Sequence, residues 1–388
     1  MLPEFENTEI AFRYRSDKEL KRARFLFASM GSPTLTSVGM KMTKIAISWN
    51  LPVKRLIKST LFDQFCGGET MDEAAATAAM LGKYGVSTIL DYGVEGKETE
   101  GDFDRAVPEF VKAIKHAASG KNIPFVSVKI TGFAYFALLE KKHAGATLTV
   151  DEEAAWKRVY DRIDFICKSA ADNNIMVLVD AEESWIQQPV DDLTDAMMAK
   201  YNKNRVVVYN TFQMYRHDRL AFLEQSYETA KKGGYLLGAK LVRGAYMEKE
   251  RARAAEKGYK SPIQPDKQST DRDYDAAANF CLHHLDGLGL FVGTHNENSC
   301  LKVARYMDDN GIKPNTDRVY FSQLFGMSDN ISFNLANSGY KVAKYLPYGP
   351  VKDVLPYLMR RAQENTSVAG QTGRELTLID KEMKRRKL

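Results

Sequence analysis

A pair of adjacent arginines near the C-terminal end of the chain has the residue types and spacing of a carboxylate receptor. The run Lys344-Tyr-Leu-Pro-Tyr-Gly-Pro350 indicates a strand that stops at a Pro-Tyr-Gly-Pro break, and a helical pattern follows it. Spacings of three and four residues place Tyr357, Arg360 and Arg361 on one face of that helix. Two guanidiniums beside a phenol can bind a carboxylate through paired hydrogen bonds. A surface helix that carries Arg-Arg for solubility alone is the alternative interpretation.

Other short apolar runs also end in polar, charged or aromatic residues. These residues are Asp91 and Glu95, Lys129, 180–183, 210–213, 240–246, 294–296, 323–327, and Tyr348. Because several of them are cations, and buried cations are costly without anions, a bound anionic cofactor or substrate is expected. A single Lys or Asp at such a position could equally form an inter-strand ion pair, and His295 could be a hydrogen-bonded core histidine. Metal catalysis has little support, because only His295 of the six histidines lies at the end of such a run.

The elements that must position these residues are predicted by hydrophobic periodicity. Short apolar runs alternate with patterns of helical period, which predicts a parallel sheet with right-handed crossovers. Eight such units over roughly 270 residues match a (β/α)8 TIM barrel, an α/β fold whose chemistry collects at the C-terminal ends of the strands. A doubly wound open sheet is the competing fold, although no Gly-x-Gly-x-x-Gly follows a strand to support a dinucleotide site. The predicted strands cover 87–92, 125–130, 176–180, 206–212, 236–242, 290–294, 319–325 and 341–346.

Residues 1–85 differ from the rest, because helical patterns follow one another there without intervening strands. The patterns cover 17–30, 37–47, 53–65 and 71–84. We therefore predict an α-helical N-terminal arm over 1–85, a barrel with the cofactor and substrate site over 86–370, and a basic helical tail over 371–388. The polar stretch Lys257–Asp271 is predicted to be a loop after the fifth strand.

The composition is that of a globular protein, with 44% hydrophobic and 27% charged residues. Lys and Arg exceed Asp and Glu by 55 − 50 = 5, an excess too small to indicate nucleic acid binding. The four cysteines show no metal-ligand spacing and lie in or beside apolar helical runs, which indicates free thiols in a reducing compartment. A signal-peptide core and a long uncharged apolar run are both lacking, so a cytoplasmic location is expected. The basic residues 381–387 are either solvated or in peripheral contact with anionic lipid headgroups.

Five motifs follow one another along the predicted strands: Val179-Asp-Ala-Glu-Glu183, Lys240-Leu-Val-Arg-Gly-Ala-Tyr246, Gly293-Thr-His-Asn296, Gln323-Leu-Phe-Gly-Met327 and Tyr348-Gly-Pro-Val…Tyr357-Leu-Met-Arg-Arg361. These motifs resemble the proline dehydrogenase family, and most closely its single-function, mitochondrial-type branch. They occur in the family's order between about residues 91 and 367, on the predicted strands. The resemblance implies a distorted (β/α)8 barrel that holds FAD, with the final helix over the active site.

The resemblance also implies roles for individual residues. Asp180 and Lys240 would act near the reacting centre, while Asp91, Glu95 and Asp180 would form structural ion pairs. The residues implied to bind the substrate are Lys129, Tyr246, Leu324, Tyr348, Tyr357, Arg360 and Arg361. The residues implied to contact FAD are Ala181, Asn210, Lys240, Arg243, Gly244, Ala245, Thr294 and His295.

The implied reaction is the oxidation of L-proline to Δ1-pyrroline-5-carboxylate, the first step of proline catabolism. Hydride would pass from the ring carbon next to nitrogen to flavin N5, and a quinone would then accept the electrons. Lys240 and Asn210 stand where many family members have Arg and Gln. Arg is the better planar hydrogen-bond donor, so the potential or orientation of the flavin could differ here.

Three other functions stay open. Hydroxyproline dehydrogenation belongs to the same family, but the bulky Tyr348 would crowd a ring hydroxyl. A Schiff-base aldolase could use Lys129 or Lys240, because barrels host such lysines. A non-catalytic basic barrel could bind an anionic metabolite or a membrane surface.

Overall fold

The computed structural model describes residues 2–31, 58–93, 98–120, 122–367 and 371–388. Glu95, the helix predicted over 37–47 and the first part of the one predicted over 53–65 lie outside the described residues. Their predictions therefore stay predictions.

Eight parallel strands form a closed barrel in sequential order, which confirms the predicted (β/α)8 fold over a doubly wound open sheet. Every predicted strand is present, and its ends differ from the prediction by at most two residues. The strands are β1 Val86–Tyr92, β2 Phe125–Val128, β3 Met176–Val179, β4 Val208–Gln213, β5 Leu237–Val242, β6 Leu288–Gly293, β7 Val319–Leu324 and β8 Val342–Tyr348.

Helices separate the strands and also form both ends of the chain. Several start at side-chain caps, and Ser16 and Thr149 form complete capping boxes with Glu19 and Glu152. The described α-helices are α1 Thr8–Phe12, α2 Asp17–Met30, α3 Asp63–Phe65, α4 Met71–Gly82, α5 Glu100–Ser119, α6 Phe136–His143, α7 Val150–Asp172, α8 Ser184–Tyr201, α9 Arg219–Lys232, α10 Met247–Lys257, α11 Lys267–His283, α12 Glu297–Asp309, α13 Asp329–Asn337, α14 Val351–Ser367 and α15 Gln371–Arg386.

The loop predicted over Lys257–Asp271 is too long at both ends. Lys257 belongs to α10, which ends at Gly258 in the left-handed conformation with φ of 72°. The Asp266 side chain accepts a hydrogen bond from the Ser269 N–H at 2.7 Å and so starts α11 before Asp271 is reached. The loop covers only residues 258–266.

The chain divides into two compact units, which we call the terminal unit (residues 1–95 and 323–388) and the central unit (residues 96–322). In the central unit, the aromatic rings of Phe125, Tyr209, Phe291 and Tyr320 pack edge to face with centroids 4.8 to 6.3 Å apart. This division differs from the boundaries predicted at residues 85 and 370, which stay predictions.

In the terminal unit, the N-terminal helices pack with the C-terminal ones. Leu20 and Phe27 of α2 share a buried cluster with Leu378 and Ile379 of α15. Arg24 also bonds Asp380 at 2.6 Å. The N-terminal arm is therefore held by the C-terminal end of the chain through both apolar contact and charge.

The basic C-terminal residues form the predicted helix, but much of their charge is balanced within the terminal unit. Lys381 bonds Glu6 at 3.2 Å, and Arg386 bonds both Glu382 at 2.7 Å and Asp17 at 3.0 Å. Within the described ranges, each helix is too short or too polar to cross a lipid bilayer. All four cysteines are buried and free, and burial raises the pKa of each thiol above its ordinary value.

Candidate active site

One carboxylate and two ammonium groups meet at the strand ends of the central unit. Lys240 of β5 donates a hydrogen bond from Nζ to Oδ1 of Asp180 at 2.5 Å, and Lys129 Nζ lies 3.6 Å from Oδ2 of the same carboxylate. The side chains of Lys129, Asp180 and Lys240 are 16%, 12% and 8% exposed. The cluster thus joins two ammonium groups to one carboxylate. We call them the Asp180 cluster.

The segment after β3 is fixed by contacts on both sides of Glu182. Thr131 donates its hydroxyl hydrogen bond to the Glu182 carboxylate at 2.8 Å. The backbone N–H and the hydroxyl of Ser184 each donate to the buried carboxylate of Glu250 at 2.6 Å. Ala181, predicted to contact FAD through its backbone, lies between Asp180 and this fixed segment.

Arg243, just after β5, is held by acceptors from two other segments. Its Nε donates to Asp271 at 2.7 Å, and its Nη1 donates to the Thr294 hydroxyl at 2.6 Å. The guanidinium also lies 4.3 Å from the centroid of the Tyr274 ring. Although burial opposes ionisation, hydrogen bonds from Lys267 and Arg243 hold the pKa of Asp271 below its ordinary value. The structure therefore brings together Arg243 and Thr294, as one shared site requires.

The residues next to Arg243 and Thr294 are more accessible. Gly244 and Ala245 are exposed, while Tyr246 and His295 are half-buried. Gly244 has φ of 132°, and a Cβ there would lie 2.5 Å from the ring of Tyr215. A side chain at 244 would thus be strained and would clash, so the open backbone after β5 depends on glycine.

Strand β4 presents Asn210 and Gln213 to different surroundings. Asn210 Nδ2 donates to Asp191 of α8 at 3.0 Å, and Asp191 in turn accepts from Arg219 of α9 at 2.7 Å. Gln213 donates from Nε2 to the Glu182 carbonyl at 3.0 Å, and its Oε1 is buried with no hydrogen-bond partner among the described residues. Side chains alternate between the two sides of a strand, so Asn210 and Gln213, three residues apart, face opposite sides. This alternation could have identified Gln213 from the sequence as a candidate site residue.

The predicted arginine face is present on α14 in the terminal unit. The Arg361 guanidinium lies 5.3 Å from the centroid of the Tyr357 ring. Tyr357 and Arg361 are only 8% and 9% exposed, and Arg360 is half-buried. A buried guanidinium does not serve solubility, so the surface-helix interpretation is wrong for Arg361.

Three more predicted residues lie in the terminal unit. Tyr348 is buried at the end of β8, with its ring centroid 5.5 Å from that of Tyr92. Leu324 is the last residue of β7 and is half-buried. Asp91 is buried in β1 opposite Pro347, and its role in an ion pair stays a prediction. Within the described ranges, no group of three or more His, Cys, Asp or Glu side chains could hold a metal ion.

Comparisons with known proteins identify a family and several relatives of this chain. The family model described as "Proline dehydrogenase" matches residues 74–374. The carbapenem antibiotics biosynthesis protein CarD of Pectobacterium carotovorum is 35% identical over 323 residues, which cover 83% of each chain. Proline dehydrogenase 1 (mitochondrial) of Dictyostelium discoideum is 33% identical, over 86% of this chain and 66% of its own. Hydroxyproline dehydrogenase of Xenopus laevis is 32% identical, over 97% of this chain and 88% of its own.

Solved structures support the fold. Proline utilization A of Bdellovibrio bacteriovorus superposes with a TM-score of 0.72 at 18% identity, over 94% of this chain. The match spans 37% of that longer protein. A closed eight-stranded barrel, ordered polar strand ends and a family model that covers most of the chain converge, and the chain belongs to the proline dehydrogenase family.

Proposed function

We propose that this protein is an FAD-dependent oxidoreductase that converts L-proline into Δ1-pyrroline-5-carboxylate. The observation that carries the proposal is the buried guanidinium of Arg361 beside the Tyr357 ring. A buried cation of this geometry suits a planar carboxylate, and the adjacent phenol offers an apolar ring face to the pyrrolidine. Membership of the proline dehydrogenase family supports this choice of substrate.

The central unit has a donor set that fits a flavin dinucleotide. Arg243, which Asp271 and Thr294 hold in place, is proposed to contact a phosphate. Gly244 and Ala245 leave the backbone after β5 open, and Gln213 has a buried acceptor. When bound, FAD supplies the acceptor for the hydride. The residues that we propose to hold it are Ala181, Gln213, Lys240, Arg243, Gly244, Ala245, Thr294 and His295. The contact predicted for Asn210 has less support, because its amide is bonded to Asp191.

The substrate side of the proposal assigns a role to each of the predicted substrate-binding residues. Arg360, Arg361 and Lys129 bind the carboxylate and so fix the orientation of the proline ring. Asp180 orients the ammonium group of Lys240, which can then donate a hydrogen bond at the reacting centre. The residues proposed to pack against the ring and exclude water are Tyr246, Leu324, Tyr348 and Tyr357.

A neutral substrate amine is needed for reaction, because its lone pair assists the departure of hydride from the neighbouring carbon. We therefore expect the rate to rise with pH as the amine of bound proline loses its proton. A quinone is the proposed electron acceptor. A cytoplasmic location and peripheral contact with a membrane remain part of the proposal. Less basic charge is available to bind lipid headgroups, because Lys381 and Arg386 form ion pairs within the terminal unit.

Substrate comparison tests the proposed function against its alternatives. The purified protein is assayed with a dye acceptor on L-proline and on trans-4-hydroxy-L-proline. We expect a higher kcat/KM for L-proline, because the buried Tyr348 ring leaves little room for a hydroxyl. A preference for hydroxyproline would favour the hydroxyproline dehydrogenase alternative. Borohydride trapping of a carbonyl substrate, without dye reduction, would favour the aldolase.

A further inference from the structure

The turn that follows β7, residues 324–328, has an unusual backbone. Gly326 has φ of 79°, and a Cβ there would lie 1.9 Å from the Gln64 carbonyl oxygen. Ser328 also has a positive φ, 50°, which is uncommon for a residue with a side chain. Such a conformation costs energy and persists only where the surrounding structure imposes it.

Three buried side chains impose this conformation from other parts of the terminal unit. Gln64 donates from Nε2 to the Gly326 carbonyl at 2.7 Å, and Lys344 of β8 donates from Nζ to the Met327 carbonyl. Glu375 of α15 accepts the hydrogen bond of the Ser328 N–H on Oε1 at 2.5 Å. Glu375 is 5% exposed, so this bond is shielded from water.

Glu375 also supplies a hydrogen-bond acceptor at the start of α13. The Ser328 side chain makes no capping hydrogen bond to α13. The Glu375 side chain, 47 residues away in the sequence, therefore accepts a hydrogen bond from the backbone at this helix start. Loss of the acceptor would leave the buried Ser328 N–H without this partner, which is costly.

The turn carries a residue of the proposed substrate site. Leu324 opens the turn, and its carbonyl accepts hydrogen bonds from the Met327 N–H at 3.3 Å and from Lys344 Nζ at 3.4 Å. The Ser328 backbone follows Met327 directly, so movement at Ser328 is transmitted to Leu324 through one short closed turn.

We propose that Glu375 is a positioning residue for proline oxidation, which fixes the turn 324–328 and thereby the place of Leu324 against the substrate ring. The role rests on the proposed function. It assigns an influence on substrate affinity, exerted through the turn, to α15, a helix that contributes none of the predicted substrate-binding or FAD-binding residues. Because Leu324 contributes to ring packing rather than to the transfer itself, KM should change more than kcat.

The test compares Glu375→Met with Glu375→Gln. Met has similar length but accepts no comparable hydrogen bond, whereas the Gln carbonyl can still accept from Ser328. We expect Glu375→Met to raise KM for L-proline about tenfold with kcat within about twofold of the wild type. Glu375→Gln should keep KM within about twofold of the wild type.

Glu382→Met on the same helix is the matched control. Glu382 is fully buried and accepts hydrogen bonds from Arg385 and Arg386, which lie on α15 rather than in the turn. It should affect stability but leave KM within about twofold of the wild type. An unchanged KM in Glu375→Met, an equal rise in Glu382→Met, or no rescue by Gln would each overturn the positioning role.

Hydrogen exchange of the backbone separates this proposal from the proposed function. Exchange at 325–332 should accelerate in Glu375→Met and stay slow in Glu375→Gln and Glu382→Met. If the wild-type protein does not oxidise proline, the proposed function fails and the positioning role fails with it. If the wild type is active and exchange at 325–332 is the same in all variants, only the positioning role fails.

Discussion

The Asp180 cluster of the central unit and the environment of Asp329 in the terminal unit contain the same ion pair in different settings. In both, a carboxylate that follows a strand binds a lysine from a strand, at 2.5 Å for Lys240 with Asp180 and 2.9 Å for Lys344 with Asp329. The Asp329 and Lys344 side chains are 3% and 0% exposed, whereas Lys129 in the Asp180 cluster is 16% exposed.

The partners of Asp329 explain why its cluster is structural. Its Oδ2 accepts hydrogen bonds from the Tyr14 hydroxyl at 2.7 Å and from Arg15 Nε at 3.1 Å, in addition to the Lys344 pair. Burial opposes its ionisation, but the charges of Lys344 and Arg15 hold the pKa of Asp329 below its ordinary value. Asp180, in contrast, binds two lysines, and its side chain is still 12% exposed. The same kind of ion pair therefore stabilises the fold where it is buried, and can receive a ligand where it is accessible to solvent.

The largest effect on stability should come from breaking the buried ion pair between Lys344 and Asp329. Lys344→Met leaves Asp329 without its closest ammonium partner, and we expect the free energy of unfolding to fall by about 3–5 kcal/mol. Lys240→Met, the matched change in the Asp180 cluster, should cost less stability and more activity, because Lys129 and solvent can still reach Asp180. Urea denaturation and proline turnover of both variants measure this. Equal losses of stability would contradict the distinction between the clusters.

A second prediction concerns the effect of pH on stability through Glu375, which lies in the buried region around Asp329. Burial and the negative charge of Asp329 raise the pKa of Glu375 from 4.5 to about 7. An acid whose folded pKa is raised stabilises the fold below its unfolded pKa, and that contribution is lost as pH rises through the folded value. Relative to Glu375→Gln, the wild type should therefore lose on the order of 3 kcal/mol of stability between pH 5 and 8. Thermal unfolding at several pH values tests this, and parallel curves would contradict it.

The two arginines proposed to bind the carboxylate should respond to mutation in substrate binding rather than in folding. Arg361→Met removes the buried guanidinium, and we expect KM for L-proline to rise by about 10- to 100-fold while FAD stays bound. Arg360→Met should have a smaller effect, because Arg360 is more exposed. Unchanged proline kinetics in Arg361→Met would refute the carboxylate role.

The smallest effects are expected for two residues of β4, one of which should affect FAD affinity and the other stability. Gln213→Leu removes a buried acceptor that we propose to face FAD, so FAD affinity should fall by about tenfold. Asn210→Leu disrupts the bond to Asp191 of α8 and should lower stability while FAD affinity stays within about twofold of the wild type. Fluorescence titration with FAD and thermal unfolding distinguish the two variants. A loss of FAD affinity in Asn210→Leu but not in Gln213→Leu would instead support the predicted contact between Asn210 and FAD.

Much of the barrel could be predicted from the sequence because each strand is a short apolar run with local turn signals. The strand β8 was placed two residues too short, since Pro347 and Tyr348 continue to pair with β1 beyond the predicted break at the proline. Pro347 lacks an N–H but its carbonyl still accepts a hydrogen bond from Gly67 at 2.8 Å. Local rules therefore missed a pairing that depends on a distant segment.

The buried contacts of the terminal unit could not be predicted, because their members lie far apart in the chain. Tyr14 and Arg15 meet Asp329 across more than 300 residues, and Glu375 meets Ser328 across 47. The sequence patterns identified Lys344 only as part of a predicted strand, with no sign of a buried partner. Arg361 was predicted because helical spacing is local, and its neighbour Tyr357 lies one turn away.

The most direct test of the central claim is the absorbance spectrum of the purified protein before and after L-proline is added without oxygen. We predict an oxidised flavin spectrum whose visible bands bleach on addition of L-proline, since a proline-derived hydride reduces the bound cofactor. D-Proline serves as the control for specific binding of the carboxylate and ring. A colourless protein, or a flavin spectrum that L-proline leaves unchanged, would contradict the account.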